Sequence, residues 1–496
     1  MAYVIGMDSS TQSTKAIVWD REGNAVAVGR SPLPLSTPAP GHVEQDPKDW
    51  WASAGAALKE ATAGIDPARI EGLAISNQRE TVALLDADGE ALAPGMVWLD
   101  ERGLGEIGPL TARLGAGYLH RITGKPADLT PVVYRLAWLR RHHPALLNQA
   151  AAIVDVHGYL CLKLTGRAVA SWTSADPFGV FDIKDKRWSA AILAAVGLEP
   201  SRFPEAVAPG TLVGRLSDAA AAATGLRPGT PVFAGGGDGQ CAGLGVNAVR
   251  AGRIYLNLGT ALLVGAWSAE PVIDRAWRTL VSATGEGYFL EAVQRAGAYF
   301  VNWFVDAFAG GRADPGVFDR LEAEAVRLPV GSGGVLASTH LTGCMDPHWD
   351  PNARAAFVGL AANHGLPHLY RASLEAMTLE AARALTTMRG LGIQAERILA
   401  VGGGSRSPLW TRMVADATGL PVRRSRSEEA SALGAGMTAA VGAGWYKGFA
   451  QAASAMSSEA ETTAPDPAAA AAWQALSRRQ AKVYAATRGL VEAGEG

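Results

Sequence analysis

The segment Gly235-Gly236-Gly237-Asp238-Gly239-Gln240 sets one carboxylate in a glycine turn directly after an apolar, strand-like run that begins at Val232. Loops rich in glycine and hydroxyl residues follow three other apolar runs. Tyr3-Val4-Ile5 leads into Gly6-Met7-Asp8-Ser9-Ser10-Thr11-Gln12-Ser13-Thr14-Lys15. Ile254 to Asn257 leads into Leu258-Gly259-Thr260, and Ile398 to Val401 into Gly402-Gly403-Gly404-Ser405-Arg406-Ser407. Backbone N–H groups bared by glycine, together with short hydroxyls, are what phosphate oxygens need for close approach. The combination points to phosphoryl transfer from ATP. In that chemistry Asp8 holds Mg²⁺ directly or through water, Ser10 and Thr11 bond the terminal phosphates, and Lys15 neutralises charge there. Asp238 then serves as the base beside an acceptor hydroxyl, since positioning and charge neutralisation supply most of the acceleration and one carboxylate suffices. The plainer alternatives are a polar hairpin that satisfies its own turn and a simple turn aspartate.

Two other polar clusters interrupt apolar segments. In Asn77-Gln78-Arg79-Glu80-Thr81, Arg79 and Glu80 suit vicinal hydroxyls, because a guanidinium donates in a fork and a carboxylate accepts. An exposed hairpin ion pair is the competing reading. In Trp98-Leu99-Asp100-Glu101-Arg102, Asp100 and Arg102 are either substrate contacts or supports behind the site. The chain has no Walker loop, no G-x-G-x-x-G, no H-E-x-x-H and no G-x-S-x-G elbow.

These residues must be positioned by a fold of more than one core, because 496 residues exceed what a single core organises. The alternation of strand and helix signals predicts α/β domains, with a boundary near 245–255 that separates residues 1–250 from 251–496. Residues 1–30 read as two strands around a turn, and Ile70 to Ser76 and Val82 to Asp86 as further strands. Asp46-Pro47 opens a helix carrying Trp50, Trp51, Ala54, Leu58 and Ala61. Leu136 to Arg141 and Ala150 to Leu164 read as helical. A long helix carries Leu369, Tyr370, Leu374, Met377 and Ala381, and a C-terminal one packs Trp473, Leu476, Gln480 and Val483 on one face. The strand and Gly-Thr turn that open the second half echo the first loop, which hints at an internal duplication. The ligand is expected in the cleft between the domains, since both halves supply phosphate-type loops. A net charge of -2 gives no support to nucleic-acid binding, and no apolar run approaches membrane-spanning length. Three scattered cysteines and a strand-like N-terminus suit a cytoplasmic enzyme.

Taken in order along the whole chain, the motifs resemble the FGGY carbohydrate kinases, the group that includes xylulokinases and glycerol kinases. The resemblance rests on the Asp8 loop, Val43-Glu44-Gln45-Asp46-Pro47 with Trp50-Trp51, and Trp98-x-Asp100-x-Arg102. It also rests on Gly237-Asp238, Leu258-Gly259-Thr260, and Gly402-Gly403-Gly404-x-x-Ser407-x-x-Trp410 followed by Asp416. It implies two actin-like (ribonuclease H-like) ATPase domains closing over ATP and a sugar or polyol, with Mg²⁺ at Asp8 and Asp238 as base. Gly259 and Thr260 would meet phosphates, while the glycines 402–404 and Ser407 would lie on the adenosine side. The substrate signature is mixed. Arg79-Glu80 is similar to glycerol kinases, whereas Gly239 stands where those carry glutamine, and Trp138-Leu139-Arg140-Arg141-His142-His143-Pro144 looks more like xylulokinases. Cys344-Met345-Asp346-Pro347-His348-Trp349 replaces the family's usual Glu-Arg-Thr-Pro-His. The resulting expectation is a kinase for a primary hydroxyl of a ketopentose such as xylulose, with glycerol kinase as the alternative. An actin-like ATPase switch without a sugar acceptor is the remote one. A homodimer is left open.

Overall fold

The computed structural model describes residues 2–490. Its first sheet is built from β1 (Tyr3–Ser9), β2 (Ser13–Trp19), β3 (Ala25–Pro32), β4 (Ile70–Asn77), β5 (Leu212–Arg215) and β6 (Pro231–Gly237), in the spatial order β5-β6-β4-β1-β2-β3. Between β3 and β4 runs α1 (Pro47–Thr62). Asp46 caps it by accepting from Lys48 N at 2.9 Å, and Trp50, Ala54, Leu58 and Ala61 are buried against the sheet.

The second sheet comprises β7 (Gly252–Leu258), β8 (Leu262–Ser268), β9 (Arg278–Val281), β10 (Tyr288–Gln294), β11 (Ala395–Val401), β12 (Val422–Ser425) and β13 (Glu459–Thr463), in the order β9-β10-β8-β7-β11-β12-β13. The two sheets repeat one plan. β1 and β7 each begin an antiparallel run, β1-β2-β3 and β7-β8-β10. Each is also parallel to a later strand, β4 or β11, which is parallel in turn to β6 or β12. An antiparallel edge, β5 or β13, closes each parallel set. The echo between the Asp8 loop and the Gly259 turn therefore extends to whole sheets.

Packing crosses the expected boundary. The helix α4 (Asp238–Gly245) follows β6 yet buries Ala242 with Tyr255, Leu280 and Phe289 of the second sheet. Conversely α7 (Ala430–Gly442), with α8 (Phe449–Met456) behind it, buries Ala432, Leu433 and Met437 with Val4, Ile17, Trp19 and Phe233 of the first sheet. Only small residues allow this. A Cβ on Gly434 would lie 1.9 Å from Cys241 O, and one on Gly6 would lie 1.9 Å from Ala432 O. α7 is accordingly apolar on every side and carries no stripe for a sequence reading to find.

The long helix appears as α5 (Leu366–Gly390), followed by α6 (Pro408–Thr418). The C-terminal stripe is buried as expected, with Trp473, Leu476 and Gln480 on α9 (Ala470–Gln480) and Val483 just beyond it. Leu136 to Arg141 lies within α2 (Val132–His142), whereas Ala150 to Leu164 differs from the expectation. Ala152–Val154 is a short strand paired with Ala83–Leu85, and only Val156–Thr165, labelled α3, is helical. The β-branched pair Ile153-Val154 finds a strand partner, and Asp155 then caps α3 by accepting from Gly158 N at 2.7 Å.

Candidate active site

Parallel strands end on the same edge of a sheet, and ligands of open α/β sheets gather beyond those ends. In the first sheet Ser9 stands opposite Asn77, and Asn77 opposite Gly237. The Asp8 loop, the Gln78–Thr81 turn and Asp238 are thereby set side by side although they are far apart in the chain. In the second sheet Asn257 stands opposite Val401, which joins the Gly259 turn to the triple glycine. The register thus makes two half-sites, one per sheet.

Asp238 heads α4 with its side chain 40% exposed. Both protein contacts fall on Oδ1, from Gly239 N at 2.7 Å and Arg79 Nε at 2.9 Å. Oδ2 carries no hydrogen bond among the described residues. A carboxylate held by one oxygen and bare on the other is suited to take a proton.

Asp8 sits one residue before the end of β1, and Ser76 Oγ donates to its Oδ1 at 2.7 Å. Burial pushes the Asp8 carboxyl up to about 7; the Ser76 bond opposes the rise and the charge of Asp238 adds to it. A buried carboxylate that feels a second one in this way gains from a nearby cation. Mg²⁺ takes one or two carboxylates, keeps several waters and uses substrate phosphates for the rest. Asp8 would be the carboxylate to hold it, and Mg²⁺ would supply neutralisation of phosphate charge there.

The other residues of the first loop are placed less simply. Ser10 donates through its hydroxyl to Ser13 O at 2.8 Å, closing the hairpin, and Thr11 Oγ1 accepts from Trp98 Nε1 at 2.9 Å. Lys15 does not stand free at the loop. Its ammonium is bound by both carboxylate oxygens of Glu429, just before α7, at 2.6 and 2.7 Å. The pair explains how the second half is pinned beside the first loop, and it takes up the charge that the sequence reading assigned to phosphate.

The second and third loops interlock. Gly259 O accepts from Ala298 N and Thr260 O from Gly297 N. Gly402 has φ of 82°, and a Cβ there would lie 2.6 Å from Asn257 Oδ1 and 2.7 Å from Gly259 N. Asn257 thus occupies on β7 the place that Asp8 occupies on β1, and it fills the gap between the two loops; the sequence reading passed over it. Around Gly404 a Cβ would strike Trp410, whereas around Gly403 there is open space. Thr260 and Gly403 are exposed, while Ser407 Oγ accepts from Trp410 N as the cap of α6.

Arg79 and Glu80 are buried rather than an exposed hairpin pair. Arg79 Nη1 donates to Glu291 Oε1 on β10 at 3.1 Å, and Arg278 Nη1 on β9 donates to Glu80 Oε1 at 2.9 Å. Arg278 Nη2 closes the series on Glu291 Oε1 at 2.5 Å. Burial alone would raise Glu291, but Arg79 and Arg278 together draw it below the usual glutamate range. Glu80 is raised by burial despite its arginines. Glu80 also has φ of 54°, a left-handed backbone held by Arg135, whose Nη2 donates to Glu80 O at 2.6 Å and to Thr130 O at 2.7 Å.

Asp100 and Arg102 lie behind this group. Asp100 Oδ2 accepts from Val43 N at 2.8 Å, both its oxygens meet Arg102, and no part of it is exposed. Arg102 also contacts Glu44 at 2.8 Å and lies over the Trp138 ring. It lines a cavity of about 190 Å³ with Glu44, Trp138 and His143, while Arg79, Glu80 and Asp238 are absent from that lining. The pair holds the loop that follows Trp98.

Sequence profiles of the FGGY carbohydrate kinases match residues 3–245 with the N-terminal domain and 254–443 with the C-terminal domain. The chain belongs to the FGGY family of carbohydrate kinases. It is similar to xylulose kinase of Bacillus subtilis, at 27% identity over 99% of this chain and 98% of that protein. It is also similar to autoinducer-2 kinase of Klebsiella pneumoniae, at 29% identity over 100% of this chain and 96% of that one. The crystal structure of xylulose kinase from Rhodospirillum rubrum superposes with a TM-score of 0.92 at 30% identity, covering 98% of this chain and 99% of that one. As an FGGY kinase the protein is an ATP-dependent phosphotransferase acting on a small sugar, with the two-domain α/β fold of that family. No helix among the described residues is long and apolar enough to cross a membrane.

Proposed function

We propose that this FGGY kinase phosphorylates a primary hydroxyl of a small, uncharged sugar or polyol, a ketopentose such as xylulose, with Asp238 as the base. The reading is carried by the unpartnered Oδ2 of Asp238. The acceptor hydroxyl gives its proton to that oxygen as the new O–P bond forms and the bond from the γ-phosphorus to ADP breaks. Asp8 would hold Mg²⁺, and the Gly259-Thr260 turn and the 402–404 glycines would receive the nucleotide.

The charge balance of the acceptor side favours a neutral acceptor. Three carboxylates, Asp238, Glu80 and Glu291, surround two guanidiniums, those of Arg79 and Arg278. Each guanidinium already faces two acids, so the group keeps one net negative charge and repels a sugar acid. A glycerol-type acceptor is the second reading, favoured by the Arg79-Glu80 turn. Coupled ADP release with D-xylulose, glycerol and D-gluconate tests both. Turnover of xylulose well above the others supports the ketopentose, and glycerol alone supports the polyol. Gluconate as the preferred acceptor refutes the charge argument. Near-normal turnover by Asp238→Asn would refute the base assignment.

A further inference from the structure

We infer that Glu291 and Arg278, contributed by the second sheet, are the positioning residues of the acceptor side, and that Gly239 is the position that makes room for them. The inference rests on Asp238 being the base.

Arg278 and Glu291 are direct cross-strand partners on β9 and β10, so their side chains leave the same face of the sheet together. Both are buried, Glu291 completely. They reach Glu80 and Arg79, which lie 198 and 212 positions away in the chain. The charges then alternate along Asp238, Arg79, Glu291, Arg278 and Glu80, with contacts of 2.9, 3.1, 2.5 and 2.9 Å. A guanidinium is a rigid planar fork, so fixing its Nη1 end also fixes where the rest of the plane lies. By holding Nη1 of Arg79, Glu291 sets the guanidinium against Asp238, with Nε 2.9 Å from Oδ1 and Oδ2 left without a hydrogen bond. Glu291 thus acts on the base through Arg79.

Gly239 gives the independent observation. It lies inside α4, where glycine is the poorer helix former, and its backbone is not left-handed. Conformation therefore gives no reason for a glycine. Space does: a Cβ at 239 would lie 2.6 Å from Glu291 Oε2 and 3.0 Å from Arg79 Nη2. Glu291 Oε2 has no hydrogen-bond partner, so it is the bare side of this acid that rests against the glycine. A residue with any side chain at 239 excludes this arrangement of Glu291 and Arg79.

The test uses Glu291→Gln, Gly239→Ala and the double variant Gly239→Ala/Glu291→Asp in steady-state kinetics with xylulose and ATP. ATP affinity and the number of sites are measured by calorimetry on the same preparations. Misplacing a reacting group by about 1 Å costs on the order of 10²-fold. We expect kcat to fall by about that factor in both single variants, with a raised KM for the acceptor and an unchanged KM for ATP. In the double variant the shortened acid withdraws from the new methyl and recovers part of the loss. A general loss of folding would instead lower the number of ATP sites and leave the acceptor KM unmoved. Glu291→Gln or Gly239→Ala with kcat and acceptor KM at wild-type values overturns the inference, even while Asp238→Asn stays inactive. An active Asp238→Asn overturns the reading beneath it. Should Glu291→Gln fail to fold, Gly239→Ala decides alone, because its added methyl meets only side-chain tips.

Discussion

His157 couples acidity to the strand that leads into Asp238. It lies fully buried on α3, and its Nε2 accepts from Gly235 N at 3.0 Å. A peptide N–H can only donate, so Nε2 is bare and the ring proton sits on Nδ1, which faces Val169 O at 3.0 Å. Burial holds the imidazole down to about 4, against an ordinary value of 6.5, with the Val169 carbonyl offsetting part of the drop. Between those values the unfolded chain binds the extra proton and the folded one does not. This group's contribution to stability is therefore complete above pH 6.5 and drains away as the pH falls toward 4, at about 1.4 kcal/mol per unit and about 3 kcal/mol in all. His157→Gln keeps one acceptor and one donor but cannot titrate. Asp8, raised to about 7, gains stability over the same interval in both proteins, so equilibrium urea unfolding of ligand-free protein, followed by tryptophan fluorescence from pH 7.5 to 4.5, is read as the difference between parent and variant. The variant should be the less stable at pH 7.5, and the two curves should converge in acid. Curves that stay parallel across this range would refute the reasoning. Since Gly235 lies three residues before Asp238, turnover should decline over the same interval in the parent.

Gly434→Ala places a methyl 1.9 Å from the Cys241 carbonyl, where only backbone can give way, and should cost at least about 1–3 kcal/mol by thermal or chemical denaturation. Gly403→Ala meets nothing and should leave that transition unmoved, while an approximately tenfold weaker ATP affinity by calorimetry would mark the loop as a nucleotide contact. Asp8→Asn should reduce turnover by about 10³-fold or more. The same change should stabilise nucleotide-free protein at pH 8 and not at pH 4, because a carboxyl raised to about 7 loses stability as the pH rises through that value. Lys15→Met and Glu429→Gln should have matching effects, below about 1 kcal/mol in stability, since Glu429 is more than a third exposed. A large loss of ATP affinity in Lys15→Met alone would return that lysine to the phosphates.

The parts legible in the sequence are those whose signal is local. Asp46-Pro47 caps a helix by its own side chain, and the apolar stripe of α5 packs as its spacing predicts. The glycine loops lie at strand ends because a tight turn and a bare backbone are properties of the segment itself. Glu291 and Arg278 were out of reach for a different reason. Glu291 interrupts the apolar strand Tyr288–Gln294 and Arg278 opens Arg278–Val281, and an isolated charge there reads as a solvent-facing residue until its partners are known. Those partners lie in the other sheet. Likewise α7 betrays its crossing only through glycines that are costly in a helix, and Ile153-Val154 becomes a strand only because Ala83 and Leu84 pair with it. Asn257 had a usable signal, its place one residue before the end of β7 matching Asp8 on β1.

Several local rules are broken together around the ion series that joins the two sheets. Glu80 is left-handed without being glycine, and Gly239 is a glycine that its conformation does not require. Asp8 retains a carboxyl that burial penalises, and Glu291 has an oxygen with no partner. A purely structural interface would gain by replacing such an ion series with apolar side chains of similar volume. Apolar groups, however, give no direction to a guanidinium, and an acceptor hydroxyl must be held within a fraction of an ångström of the base. The alternating charges supply that direction, and they do so only when Arg79-Glu80 and Arg278-Glu291 are brought together from separate sheets. The Asp8 and Gly259 loops repeat the common sheet plan of the two halves, whereas the ion series of Arg79, Glu80, Arg278 and Glu291 belongs to neither half alone. Substrate choice should therefore follow residues 79, 80, 239, 278 and 291 as a set, and exchanging one of them without its neighbours should cost activity before it changes preference.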